Sequence, residues 1–134
     1  MRLKALVWIL RPGTEGPEVL LLERPGRRGG GEHPVTGKAD RGEPARACAE
    51  REAREETGLF GEWVELGHAH RYRGKKGDFE EHSFLLRVPP RTEPKLSDEH
   101  VAFRWVPPAA ARAVLHWNAH KEALDLALAA WAKA

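Results

Sequence analysis

Apolar residues fall in short runs along much of the chain, and each run is bounded by turn-forming residues. The runs KALVWIL (4–10) and EVLLLE (18–23) flank RPGTEGP, a pattern that predicts two strands joined by a turn. Segments 62–73 and 79–88 flank GKKGD and predict a hairpin. VAFRWV (101–106) predicts one more short strand.

Three other segments have helical signals instead. They are residues 43–57, 107–115 and 119–133. Pro44 stands where a first helical position is expected and Gly58 lies just past the end of the first segment. The last segment places its large apolar residues at i, i+4 and i+7, namely Leu124, Leu128 and Trp131. Strands interleaved with helices predict an α/β (α+β) fold, with helices on both sides of a central sheet.

Composition narrows the class of protein. With 134 residues, 41% of them hydrophobic and 31% charged, the chain is expected to form one globular domain over residues 1–134. A net charge of +2 is too small to favour nucleic-acid binding. The single Cys48 excludes an intramolecular disulfide, and no run approaches the roughly 20 apolar residues of a membrane span. A cytoplasmic protein without membrane or nucleic-acid partners is predicted.

Residues 24–42 are rich in glycine, proline and charge, and a loop of this length inside a compact domain is more often functional than idle. One alternative is a phosphate-cradling P-loop, which requires G-x-x-x-x-G-K-[ST]. Gly37–Lys38 would supply the second half of that motif. Glu32 stands where its first glycine should be and Ala39 where a hydroxyl is required, so the P-loop is rejected.

The helix predicted over 43–57 has an unusual distribution of charge. At about 100° per residue, its small apolar residues form one stripe: Ala45, Cys48 and Ala49. Glu52 and Glu56 project onto that stripe and Glu55 lies on its flank, whereas a plain surface helix would turn its charges away. Burying an unpaired carboxylate costs several kcal/mol, so a cation should offset it. Oxygen ligands at i, i+3 and i+4 fit Mg²⁺ or Mn²⁺.

The same stretch resembles a known family. The Nudix box is G-x5-E-x7-R-E-U-x-E-E-x-G-U, where U is a bulky aliphatic residue. Eight of its nine positions are matched at the right spacing, by Gly37, Glu43, Arg51, Glu52, Glu55, Glu56, Gly58 and Leu59. The departure is Ala53 at a U position. The resemblance implies the Nudix fold, a mixed sheet sandwiched between helices.

What the resemblance implies about chemistry is hydrolysis of a phosphoric anhydride with Mg²⁺ or Mn²⁺. Glu52 and Glu56 are expected to bind metal, and Arg51 to orient the carboxylates. Glu55 is expected to be either another ligand or the general base. Glu43 is expected to support the geometry of loop and helix. A divalent ion suits this reaction because it lowers the pKa of bound water and neutralises phosphate charge.

Outside the box the chain is similar, more loosely, to bacterial dihydroneopterin triphosphate pyrophosphohydrolases. The resemblance rests on VTG (35–37) and on the segment EHSFLLRV…EHVAFRWVPPAAARAVLHW. It implies a further metal carboxylate or catalytic base at Glu99. It also implies substrate contacts, which we predict at Arg24, Thr36, Gly37 and Lys38. A basic contact expected just before the first strand has no clear counterpart, because the N-terminus is shorter.

Several alternatives stay open at this level. The predicted substrate is a nucleoside or pterin triphosphate, held by a monomer or a homodimer. ADP-ribose hydrolases of the family carry a proline some fifteen residues after the box, and dinucleoside polyphosphate hydrolases a tyrosine some seventeen residues after it. Neither marker is found, since Tyr72 comes too early. A non-catalytic nucleotide sensor is disfavoured because such modules usually lose box carboxylates.

Two smaller features have simpler explanations. His68 and His70 share a face of a predicted strand, but a zinc site needs further ligands, so a satisfied or exposed pair is the better expectation. Trp105 and Trp117 offer surfaces for stacking on a base or pterin, and core packing is the default expectation for each.

Overall fold

The computed structural model describes residues 1–133, which form seven strands and three helices. The strands are β1 (Arg2–Gly13), β2 (Gly16–Glu23), β3 (Glu32–His33), β4 (Val35–Lys38), β5 (Glu62–Gly74), β6 (Gly77–Arg87) and β7 (Ala102–Val106). The helices are α1 (Ala45–Thr57), α2 (Pro108–Val114) and α3 (Asn118–Ala132). None of the helices in this part of the chain is long and apolar enough to cross a membrane.

All seven strands belong to one mixed sheet. The main path runs β3-β2-β1-β6-β5, with β4 paired to β1 and β7 paired to β2. β1 and β6 are parallel, whereas the other pairs are antiparallel. The predicted α+β architecture with a mixed sheet between helices is therefore confirmed.

Successive side chains of a strand point to opposite faces, so each strand can contribute apolar residues to both faces of the sheet. Helices cover both faces. Small residues of α1 (Cys48, Ala49 and Ala53) pack against one face, together with alternate residues of β1 such as Val7 and Ile9. α2 and α3 pack against the other face, where Leu124 meets Trp8 and its neighbours. The phase of α1 predicted from its apolar stripe is the phase observed.

Several boundaries differ from the sequence prediction. β1 extends from residue 2 to residue 13 and so pairs along its length with β2, β4 and β6. The prediction of an unstructured loop over residues 24–42 is wrong at residues 32–33 and 35–38, which are strands. The strand at 35–38, VTGK, contains polar residues and a glycine, so its sequence gives little sign of a strand. Pairing with β1 rather than local propensity stabilises it.

The predicted boundaries of α1 differ from the structure at its start and agree with it at its end. Pro44 is the extended residue before the helix rather than its first turn, and Glu43 lies outside the helix. Gly58 ends the helix in the left-handed conformation with φ 67°, as its position predicted.

The expectation of core packing is wrong for Trp117, which is 62% exposed and lies edge-on to His116.

Candidate active site

The site begins where β4 passes under α1. A Cβ atom added to Gly37 would overlap the carboxyl group of Glu52, so a larger residue at position 37 would displace that side chain from the place in which Arg51 holds it. The Cys48 thiol, buried under α1, donates to the Gly37 carbonyl at 3.6 Å. Burial raises the pKa of Cys48 to about 11, so the thiol is inert at neutral pH.

Arg51 connects the box glutamates to one another. Its Nε and Nη2 atoms donate to both carboxyl oxygens of Glu43, each at 2.9 Å. Its Nη1 donates to Glu52 Oε1 at 2.8 Å and to Glu55 Oε2 at 3.2 Å. The Arg51 hydrogen bonds hold the pKa of Glu43 down to about 2. One guanidinium thus orients three carboxylates and ties the helix to the loop before it.

Glu56 is different, because no lysine or arginine of residues 1–133 forms an ion pair with it. Its side chain is only 3% exposed, and Oε2 is buried with no hydrogen-bond partner within residues 1–133. Burial, followed by the adjacent carboxylates of Glu52 and Glu99, raises the pKa of Glu56 to about 10. A divalent cation would reverse that shift, and its preferred ligands are the oxygens that are present.

A cavity of about 300 Å³ opens over Glu56. Its wall carries Arg24, Arg28, His33, Thr36, Glu56, Glu99 and His100. Glu99, which comes from the loop before β7, has a carboxyl oxygen within 4.8 Å of ligand atoms of both Glu56 and His100. Acidic and basic groups therefore line one space, which suits a cation together with a phosphate group.

Two buried histidines complete this wall. His33 Nε2 lies 3.0 Å from His100 Nε2, and the ring centroids are 4.9 Å apart. His100 Nε2 lies 3.8 Å from Glu56 Oε1. Burial, and then the charge of Arg24, lower the pKa of both rings, that of His33 to about 3. Both imidazoles are therefore neutral at neutral pH.

The residues selected from the sequence occupy different parts of this region. Arg24, Thr36, Glu56 and Glu99 line the cavity. Glu52 lies beside it, 14% exposed and held by Arg51. Glu55 is 55% exposed and Lys38 is exposed, with its ammonium 5.5 Å from the Phe79 ring. The roles predicted for these residues stay predictions.

Sequence reasoning missed His33, Arg28 and His100. His33 and His100 are separated by 67 residues, so no local spacing relates them. His68 and His70 do not belong to the cluster of possible metal ligands found in residues 1–133, which consists of Glu56, Glu99 and His100. His68 instead lies 3.8 Å from the Glu122 carboxylate, and His70 stacks on Tyr72.

Comparison with known families agrees with this geometry. The profile of the NUDIX domain matches residues 1–127. The chain belongs to the NUDIX family. The family assignment made from the box is thereby confirmed. Within the NUDIX box the one departure, Ala53, is fully buried against the sheet, where its small side chain fits the close approach of α1.

Solved structures share the NUDIX fold over nearly the whole chain. The Ap4A hydrolase of C. elegans, in a binary complex, superposes with a TM-score of 0.86, at 21% identity and with 100% of both chains covered. The dihydroneopterin triphosphate pyrophosphohydrolase of E. coli superposes with a TM-score of 0.79, at 22% identity, covering 96% of this chain and 95% of that one. At these identities the similarity establishes the fold.

One curated relative is closer in sequence. A protein named octanoyltransferase from Myxococcus xanthus is 39% identical over an alignment of 97 positions that covers 68% of this chain. The aligned part is only 27% of that relative's length. The chain therefore spans only part of the length of that relative.

Proposed function

We propose that the chain is a pyrophosphohydrolase that depends on Mg²⁺ or Mn²⁺ and cleaves the phosphate chain of a nucleoside or pterin triphosphate. The observation that carries the proposal is Glu56, whose buried Oε2 has no hydrogen-bond partner among residues 1–133 and which faces a cavity also lined by Arg24 and Arg28. A bound divalent ion would supply Lewis acidity and lower the pKa of its water ligand. Glu52 and Glu56 are its proposed ligands, with Glu55 or Glu99 adding a further oxygen.

The remaining residues then have distinct tasks. Arg24 and Arg28 would hold phosphate oxygens, since guanidinium groups match that geometry. Arg51 orients the carboxylate of Glu52 through the 2.8 Å hydrogen bond to Oε1. We propose that Glu99 is either that further ligand or the group that takes the proton of the attacking water, because it lines the cavity, whereas Glu55 is held at the surface by Arg51.

A cavity of about 300 Å³ accommodates phosphate groups more readily than a whole nucleotide. The base or pterin would therefore extend beyond it, and Thr36, Gly37 and Lys38 are the proposed contacts along β4. We propose that the enzyme acts in the cytoplasm on a soluble small molecule.

A second candidate substrate is a dinucleoside polyphosphate. A further concavity of about 740 Å³ is lined by residues 1–3 and 38–44, with Arg2, Lys38 and Arg41 as its basic groups. Thr36 of the first cavity and Lys38 of the second are two residues apart, or about 7 Å along a strand. A long polyphosphate could reach both. The fold shared with the Ap4A hydrolase is compatible with such a substrate.

The deciding experiment is a panel assay in Mg²⁺ and, separately, in Mn²⁺. Nucleoside triphosphates, dihydroneopterin triphosphate, ADP-ribose and Ap4A would be supplied, with the products identified by chromatography. Preferential release of pyrophosphate from one triphosphate is the expected result. Binding of a nucleotide without any turnover, in either metal, would replace the proposal by a sensing role.

A further inference from the structure

One of the two buried histidines, His33, is oriented as a metal ligand would be, whereas Nδ1 of His100 is buried without a hydrogen-bond partner among residues 1–133. His33 Nδ1 lies against the carbonyl oxygen of its neighbour Pro34. A carbonyl only accepts, so Nδ1 carries the ring proton and donates it, and His33 Nε2 presents a lone pair towards His100. Histidines that bind metals are oriented in this way, with the second ring nitrogen donating to a carbonyl or carboxylate.

The spacing of the nitrogens also fits a shared ion. Metal–nitrogen and metal–oxygen bonds of about 2.0–2.2 Å place neighbouring ligand atoms about 3.0–3.5 Å apart. His33 Nε2 and His100 Nε2 are 3.0 Å apart. Glu56 Oε1 lies 3.8 Å from His100 Nε2, and Glu99 belongs to the same cluster. The ligand atoms of Glu56, Glu99 and His100 all lie within 4.8 Å of one another, and His33 adjoins this cluster through His100. A side-chain rotation of His33 towards the carboxylates would bring all four residues onto one ion.

We propose that His33, His100, Glu56 and Glu99 form a mixed nitrogen and oxygen site for a transition-metal ion such as Zn²⁺ or Co²⁺. Imidazole ligands favour these ions, whereas Mg²⁺ takes oxygen ligands and retains its waters. The site shares Glu56 and Glu99 with the oxygen site proposed above and adds two nitrogens to it. The chain would therefore bind transition metals more tightly than the box glutamates alone would.

Charge and burial support an ion at this position. Glu56 Oε2 is buried and has no hydrogen-bond partner among residues 1–133, although the cavity adjoins it. The side chains of Glu56 and His100 are 3% and 2% exposed. Arg24 and Arg28 line the same cavity and oppose a cation, but the carboxylates of Glu56 and Glu99 offset them. A phosphate held by the arginines would offset them further.

The competing explanation is a simple hydrogen bond, in which His100 Nε2–H donates to His33 Nε2. The two explanations differ in what Zn²⁺ does to the rings. In the proposed site both Nε2 atoms bind Zn²⁺ directly. In the hydrogen-bonded pair neither nitrogen responds to the ion.

The test uses the full chain without substrate, so its outcome is independent of whether any phosphate compound is hydrolysed. Zn²⁺ would be titrated while the imidazole ¹⁵N resonances are followed by NMR. We expect the Nε2 resonances of His33 and His100 to shift together at one equivalent of Zn²⁺. The resonances of the exposed His116 should stay unchanged.

Calorimetry of the variants provides the second measurement. His33→Gln and His100→Gln should each weaken Zn²⁺ binding at least about tenfold, the lower range for loss of a group that supports a metal. Both should leave Mg²⁺ affinity unchanged, and His116→Gln should alter neither. Far-UV circular dichroism would show that the variants are folded. Unmoved Nε2 resonances, or equal losses of Mg²⁺ and Zn²⁺ affinity in His33→Gln, would overturn the nitrogen site.

Discussion

Among residues 1–133, one glutamate is buried on each side of the sheet, and only one of the two forms an ion pair with a lysine or arginine. Glu81, on the face covered by α2 and α3, lies 3.7 Å from the Lys4 ammonium, which also donates to the Tyr72 hydroxyl. Glu56, on the face covered by α1, has no cationic side chain in hydrogen-bonding contact within residues 1–133. The two glutamates are similarly buried, but only the charge of Glu81 is offset by a neighbouring side chain.

The difference separates a structural carboxylate from one available to a ligand. Burial raises the pKa of both groups, but Lys4 partly offsets this effect for Glu81. For Glu56 the neighbouring Glu52 and Glu99 carboxylates add to it. A cation bound at Glu56 would thus stabilise the folded chain, whereas Glu81 on the opposite side already has the Lys4 ammonium beside it. We expect variants of the two faces to separate activity from stability.

The largest effect is expected from Glu56→Gln, which keeps the shape and removes the charge. Turnover in Mg²⁺ should be abolished because the ion loses an anionic ligand, while the metal-free fold is retained or stabilised. Steady-state kinetics and thermal unfolding would measure this. Glu81→Gln is the matched control and should retain turnover. Rates near wild type for Glu56→Gln in saturating Mg²⁺ would refute Glu56 as a ligand.

Glu99→Gln is expected to reduce kcat by about 10²–10⁴, the range for a positioned general base. The adjacent Asp98→Asn should have little effect, because Asp98 is exposed and does not line the cavity. Both variants can be compared by kcat in saturating metal and substrate. Equal and small effects would place this loop outside the reaction and leave Glu52, Glu55 and Glu56 to act without it.

The sequence predicted the α1 face better than its surroundings. The direction of Glu52 and Glu56 follows from helical periodicity, which is a local property, and the β5–β6 hairpin follows from two apolar runs around a turn. Strand β4 and the pairing of His33 with His100 depend on tertiary contacts, which no local pattern encodes. The ion pair of Glu81 with Lys4 likewise depends on a tertiary contact, since Lys4 lies on the parallel neighbour β1.

The apolar face should respond in stability alone. Leu124 in α3 is fully buried, so Leu124→Ala should lower the free energy of unfolding by about 2–5 kcal/mol through lost burial and a cavity. The kcat at a temperature where the variant is folded should stay at the wild-type value. Leu126, on the same helix, is 38% exposed, and Leu126→Ala should cost about 0.5 kcal/mol or less. Denaturant unfolding would compare the two. A large fall in kcat for Leu124→Ala would show that the faces are not separable.

The smallest effect concerns pH and the metal-free protein. The pKa of Glu56 is about 10 in the folded chain and near 4.5 when unfolded, so between these values only the folded state holds the proton. Its contribution to stability is therefore complete below the unfolded pKa and is lost as pH rises towards 10. The buried histidines have lowered pKa values, so their contribution is complete above about pH 6.5 and does not change beyond it. Between pH 7 and 9 the stability of the metal-free protein should therefore change because of Glu56 and not because of the histidines.

In EDTA we expect the free energy of unfolding to fall by on the order of 1 kcal/mol per pH unit across this window, because a full proton difference corresponds to 1.36 kcal/mol. Glu56→Gln should remove most of this slope. Glu81→Gln should leave it largely in place, because Lys4 already offsets part of the Glu81 charge. Saturating Mg²⁺ should act in the opposite direction, since it binds the carboxylate form and stabilises the fold more as pH rises. Denaturant unfolding at several pH values would measure all four series. A slope in EDTA that is the same in wild type and Glu56→Gln would show that this carboxylate is not the one that the folded chain keeps protonated.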